Sequence, residues 1–155
     1  MKILMVCLGN ICRSPLAQGI LESKVAHHGL DWQIDSAGTG SWHIGQQPDP
    51  RSVAIAKQYQ IDISTQRARQ VKTKDFEAFD ILFAMDTQNF DDLTSLAPDQ
   101  KGREKVRLIM GEIPSPRTIN VPDPYWDDDA FENVFQMLDS AFDHFVSAHL
   151  KTAGV

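Results

Sequence analysis

Near its N-terminus the chain carries a cysteine and an arginine separated by five residues, with a hydroxyl directly after: Cys7-Leu8-Gly9-Asn10-Ile11-Cys12-Arg13-Ser14. The run Lys2 to Cys7 ahead of it is continuously apolar after the lysine, as a buried parallel strand is. Behind it Ser14 and Pro15 open a helix, the hydroxyl as N-cap and the proline at the first helical position. A loop that leaves a strand's carboxyl end and enters a helix is where open α/β sheets bind ligands. The first helical N–H groups lack partners and carry partial positive charge, so an anion fits there. Gly9 and Asn10 are expected at positive φ, folding successive amides inward, and Arg13 adds a planar donor shaped for a tetrahedral oxyanion. Cys7 lies beneath the anion, in a field that favours thiolate over thiol, and the Ser14 hydroxyl can donate to that thiolate. One loop thus offers a nucleophile and an oxyanion clamp. A lone cysteine ending a strand is more often inert core packing; the complete spacing argues against that here.

Displacing an oxygen from a tetrahedral oxyanion also needs a proton donor for the leaving oxygen. Asp123 is the candidate, held between Pro122 and Pro124 and followed by Tyr125 and Trp126. The prolines stiffen its backbone, the aromatic pair offers a stacking wall for a flat leaving group, and the carboxyl is expected to be partly desolvated. The run Asp127-Asp128-Asp129 reads as the solvated, dipole-favoured start of a helix.

These residues need a scaffold to converge, and periodicity supplies one. Strands are expected at Lys2–Cys7, Trp32–Ala37, Asp80–Met85 and Lys105–Met110. Helices are expected from Ser14 to Gly29, over Arg51–Tyr59, as a turn at Lys74–Phe79, from an Asp86 cap to Leu96, and from Asp128 to Leu150. Gly38 to Pro50 is a long loop. In the last helix Phe131, Val134, Phe135, Leu138, Phe142, Phe145 and Val146 share one face at helical steps. Strand–helix alternation over 155 residues, with no linker or internal repeat, gives a single α/β domain spanning 1–155. Its expected architecture is a four-stranded parallel sheet flanked by helices on both sides.

Composition narrows the partners. The formal charge is −6, from 15 basic and 21 acidic residues, which argues against a nucleic-acid surface. A local set of amides can still bind phosphate on a globally acidic chain. The apolar runs are too short to cross a bilayer and the N-terminus makes a poor signal peptide, so a soluble, cytoplasmic protein is expected. Two cysteines five positions apart cannot staple a fold, and the five histidines form no metal-ligand spacing, so neither metal nor cofactor is expected.

Taken together the cysteine loop, Asp35-Ser36-Ala37, Pro48-Asp49-Pro50-Arg51, Ala68-Arg69-Gln70 and Asp123-Pro124-Tyr125 resemble the low-molecular-weight protein tyrosine phosphatases. The resemblance spans essentially the whole chain. It implies Cys7 as nucleophile, Asp123 as general acid and then base, and Arg13 with the amides of Leu8 to Arg13 on the phosphoryl oxygens. A cysteinyl-phosphate intermediate follows. It further implies Asn10 as a strained residue held by Ser14 and Ser36, Gln66 where relatives carry a histidine, and a cleft walled by Leu8, Ile11, Trp42, His43, Tyr125 and Trp126. Related phosphoarginine phosphatases have threonine in place of Ile11, so Ile11 is expected to favour aryl esters. The implied partners are a phosphotyrosine protein and, as site ligands, phosphate, sulfate or vanadate. Cys12 is expected to form a reversible disulfide with Cys7, and Tyr125 with Trp126 to support weak self-association.

Three other readings stay open. A phosphoarginine phosphatase shares the loop. A thiol-dependent arsenate reductase shares it too but needs a later cysteine, and none follows Cys12. An idle phosphotyrosine-binding module needs neither Cys7 nor Asp123. A dinucleotide enzyme fails, since Gly38-Thr39-Gly40 is not completed by a third glycine at position 43.

Overall fold

The structure is a computed structural model and describes residues 1–152. Four strands, β1 (Lys2–Cys7), β2 (Gln33–Gly38), β3 (Ile81–Ala84) and β4 (Val106–Leu108), form one all-parallel sheet in the order β2-β1-β3-β4. Six helices connect and cover it: α1 (Arg13–His27), α2 (Pro50–Gln58), α3 (Asp75–Ala78), α4 (Thr87–Leu96), α5 (Gln100–Glu104) and α6 (Phe131–Thr152). The expected fold class is therefore the observed one.

Side-chain alternation explains the two-sided burial of the central strands. Ile3, Met5 and Phe83 face a core completed by Leu16 and Ile20 of α1 and Phe142 and Phe145 of α6. Leu4, Val6, Leu82 and Ala84 face a smaller core with Leu93 of α4. Phe83 meets Phe145 edge-on, with ring centres 5.1 Å apart, a favoured aromatic geometry. The first crossover goes from β1 to β2, and the next returns past β1 to β3. That reversal opens a crevice beyond the carboxyl ends of β1 and β3, where the Cys7 loop and Met85-Asp86 emerge.

Several local expectations need correction. Ser14 is not the cap of α1 but lies inside it; the cap position is Cys12, which makes no side-chain cap bond, and the Ser14 hydroxyl meets Cys7 and Asn10 instead. Gly9 does not adopt positive φ; in this loop only Asn10 does, at φ 57°. The fourth strand stops at Leu108, since its only neighbour β3 ends at Ala84 opposite it, and Ile109–Glu112 tightens into a 3-10 turn. Asp128–Ala130 is likewise a 3-10 turn ahead of α6. The unforeseen α5 is too short for periodicity to reveal, although Asp99 caps it by accepting from the Gly102 N–H at 2.8 Å.

Candidate active site

Beyond β1 the chain turns through Leu8–Cys12 into α1. Four carbonyls between Cys7 and Cys12 are taken by groups outside the loop. Cys7 O accepts from the Thr39 N–H at 2.9 Å, Leu8 O from Gly40 at 2.9 Å and Ile11 O from Asp49 at 2.8 Å. Cys12 O accepts from the Ser52 hydroxyl at 3.3 Å. A trans peptide holds its N–H opposite its carbonyl, so the N–H groups of Leu8, Gly9, Cys12 and Arg13 turn away from those donors. No N–H from Gly9 to Arg13 has an acceptor among the described residues. Buried amides are nearly always paired; a run of unpaired ones suits an anion.

The loop is pinned from below. Asn10 Nδ2 donates to Ser14 Oγ at 2.7 Å and to Ser36 Oγ at 3.0 Å. Its Oδ1 accepts the Arg69 N–H at 3.0 Å, which fixes the orientation of the amide. These bonds hold Asn10 in the left-handed region that costs a non-glycine residue energy. Ser36 Oγ donates on to Gln66 Oε1 at a long 3.5 Å, and Gln66 Nε2 donates to Pro15 O at 3.1 Å. Cys7 Sγ lies 3.0 Å from Ser14 Oγ, so a thiolate there accepts the serine proton. Gly38 lets the loop sit close: a Cβ on it would stand 2.7 Å from Leu8 O.

Arg13 is 3% exposed, and its Nη1 alone is tied down, donating to Asp86 Oδ2 at 2.6 Å and Val121 O at 2.9 Å. Nε and Nη2 meet no acceptor among the described residues, leaving one edge of the plane for a bidentate contact. Burial works against the charge of Arg13, but the Cys7 thiolate and then Asp86 outweigh it and hold the guanidinium above its ordinary value. Burial, reinforced by Asp49 and Cys7, pushes the Cys12 thiol up to about 12, so beside Cys7 it stays protonated.

The cleft above encloses about 200 Å³ and is lined by Cys7, Leu8, Gly9, Cys12, Arg13 and Asp123. Trp42, His43, Tyr125 and Trp126 also line it, Trp126 being 86% exposed. Ile11 is not in this wall; it is 9% exposed and packs into the larger core. Asp123 is exposed rather than desolvated, with Oδ1 accepting the Tyr125 N–H at 3.1 Å.

Sequence reasoning missed what holds these parts together. Asp86 was legible as the cap of α4, but not as the partner of an arginine 73 residues away. Arg51 was equally hidden. It pairs with Asp49 at 2.8 Å and Asp128 at 2.6 Å, and lies over the rings of Tyr125 and Phe131. It thereby clamps the Asp123 segment to α2, and Asp128 is a clamp member instead of a merely solvated charge. The Arg51 guanidinium holds the Asp49 carboxyl below the usual carboxylate range.

A thiol, a free guanidinium edge and unpaired amides at the carboxyl edge of a parallel sheet define a class of α/β proteins that hold an oxyanion over a cysteine. The profile of the low molecular weight phosphotyrosine protein phosphatases matches residues 2–154, and the chain belongs to that family. A Schizosaccharomyces pombe phosphatase of that description is 43% identical over 129 residues, covering 81% of each chain. The crystal structure of a protein tyrosine phosphatase from Entamoeba histolytica, with Hepes in its active site, superposes at a TM-score of 0.91. It is 35% identical, over 100% of this chain and 99% of that one. The crystal structure of a Drosophila arginine phosphatase is 31% identical with a TM-score of 0.88, over 96% and 98%.

Proposed function

We propose that this protein hydrolyses aryl phosphate monoesters, phosphotyrosine in proteins foremost, through a cysteinyl-phosphate. The observation that carries this reading is the position of Cys7 in a loop where the carbonyls of Cys7, Leu8, Ile11 and Cys12 are drawn outward, leaving the amides from Gly9 to Arg13 and the Arg13 edge for phosphoryl oxygens. In the first step the Cys7 thiolate attacks phosphorus in line, the phosphorus–oxygen bond to the aryl group breaks, and Asp123 gives its proton to the leaving oxygen. In the second, Asp123 takes a proton from water as that water attacks phosphorus. The phosphorus–sulfur bond breaks, releasing phosphate and the thiolate.

Charge neutralisation comes from Arg13 and the amides, so the reaction needs no metal. The Ser14 hydroxyl steadies the thiolate, and Tyr125, Trp126 and Trp42 form an aromatic rim for the tyrosyl ring. A thiolate nucleophile needs a reducing compartment, which supports a cytoplasmic location. Peroxide converts Cys7 to a sulfenic acid, and the neighbouring Cys12 thiol condenses with it to a disulfide, losing water; a thiol reductant restores both. The exposed Tyr125 and Trp126 are the surface through which two copies would meet weakly, closing the cleft.

The test is hydrolysis of p-nitrophenyl phosphate and phenyl phosphate by wild type, Cys7→Ser and Asp123→Ala in chelator. Cys7→Ser abolishes turnover. Asp123→Ala loses less on the nitrophenyl ester, whose leaving group needs no proton, than on the phenyl ester. Equal losses reject Asp123 as the donor, and an active Cys7→Ser rejects the covalent route. Phosphotyrosine and phosphoarginine peptides compared in parallel separate the proposed substrate from its nearest rival.

A further inference from the structure

A second cavity, of about 420 Å³, lies against the active-site cleft and shares Leu8 and Trp42 with it as a common wall. Val71 and Leu96 add apolar surface, and among the described residues lining it Asp92 alone is charged. Asp92 Oδ1 accepts from the Gln88 side chain at 3.0 Å, and no cation pairs with this carboxylate among the described residues. The partition itself is built. Trp42 is 68% exposed, yet its ring rests so closely on Gly40 that a Cβ there would stand 2.0 Å from it. Glycine at 40 is what lets an indole stand between the two cavities.

We propose that this cavity is a second substrate subsite, taking a lysine or arginine side chain one or two residues from the phosphotyrosine; the inference rests on the phosphatase reading. In an extended peptide adjacent side chains point to opposite faces and alternate ones recur every ~7 Å, a step that carries the chain across a wall one or two side chains thick. A long basic residue suits what lies beyond. Its methylenes run along Leu8, Val71 and Leu96 while its charged head stays polar, Trp42 offers a ring face to the cation, and Asp92 supplies the counter-charge. An acidic residue in the same place meets Asp92 with no compensating cation.

The experiment compares kcat/KM for phosphotyrosine peptides that differ only by Lys or Glu at the two positions on either side, using wild type, Asp92→Asn and Asp92→Lys. p-Nitrophenyl phosphate, too small to reach the second cavity, reports fold and chemistry in each variant. At one or more of these positions wild type favours Lys by about threefold to tenfold at low salt. The preference shrinks as ionic strength rises, disappears in Asp92→Asn and inverts in Asp92→Lys, with the small ester hydrolysed at the same rate by all three. A preference unchanged by both substitutions, or none in wild type while the small ester turns over, overturns the subsite. Failure of wild type on the small ester overturns the phosphatase reading itself.

Discussion

Replacing Asp86 by asparagine removes a charge and keeps a shape. Its Oδ1 accepts from the Asn89 N–H at 2.7 Å and caps α4, while its Oδ2 meets Arg13 Nη1 at 2.6 Å. Asparagine caps a helix about as well as aspartate, so Asp86→Asn isolates the loss of the ion pair. Stripping one partner from a fully buried pair costs roughly 3–5 kcal/mol. Arg13 keeps the Val121 carbonyl and the Asp86 side chain is 22% accessible, so the cost here falls to about 1–3 kcal/mol. Asp86→Ala also loses the cap, worth about 1 kcal/mol more. The assay is urea unfolding with and without saturating phosphate. A bound dianion replaces the lost counter-charge of Arg13, so phosphate stabilises Asp86→Asn by more than it stabilises wild type. Equal stability of Asp86→Asn and wild type, or an equal phosphate effect on both, refutes Asp86 as the anchor of the guanidinium.

Other substitutions probe the loop from different sides. Gly38→Ala drives a Cβ toward Leu8 O and is expected to cost about 1–3 kcal/mol. It also weakens vanadate inhibition, a loss that titration with vanadate reads directly. The Cys12 thiol is held near 12 in the fold against an ordinary 9.0. Its contribution to stability is full below pH 9 and is lost as pH rises toward 12, at up to about 1.4 kcal/mol per unit. Unfolding midpoints of Cys12→Ser measured across that window therefore decline less than those of wild type; parallel declines reject the assignment. Gln66→His alters the network behind Asn10, and since Gln66 meets Ser36 only at 3.5 Å, kcat is expected to change about twofold to fivefold. Complete inactivation places Gln66 closer to the chemistry than its bonds suggest.

What was legible in the sequence was what is local. Lys2–Cys7 announces a strand buried on both faces because both sets of alternating residues are apolar, and the sheet shows five of its six residues buried. The cysteine loop is readable because nucleophile, arginine and hydroxyl are held by one turn of chain. Where side chains meet across the fold, one-dimensional spacing is silent. Nothing near Arg13 points to Asp86 or Val121, and Asp49-Pro50-Arg51 reads as a helix start without showing that Arg51 reaches Asp128. Ile11 illustrates the opposite error. A place inside the loop suggests a place in the cleft wall, but Ile11 is 9% exposed, packs with the larger core and is not among the residues that line the cleft. Gly9 is a second such case: it does not adopt positive φ, and a Cβ there would stand 3.1 Å from the His43 side chain.

The most direct measurement is a crystal structure of the protein with vanadate. It should show vanadium bonded to Cys7 Sγ, with the equatorial oxygens on the amides between Leu8 and Arg13 and on the Arg13 guanidinium. Vanadate bound elsewhere, or a Cys7 sulfur turned toward the core with those amides facing protein acceptors, contradicts the account.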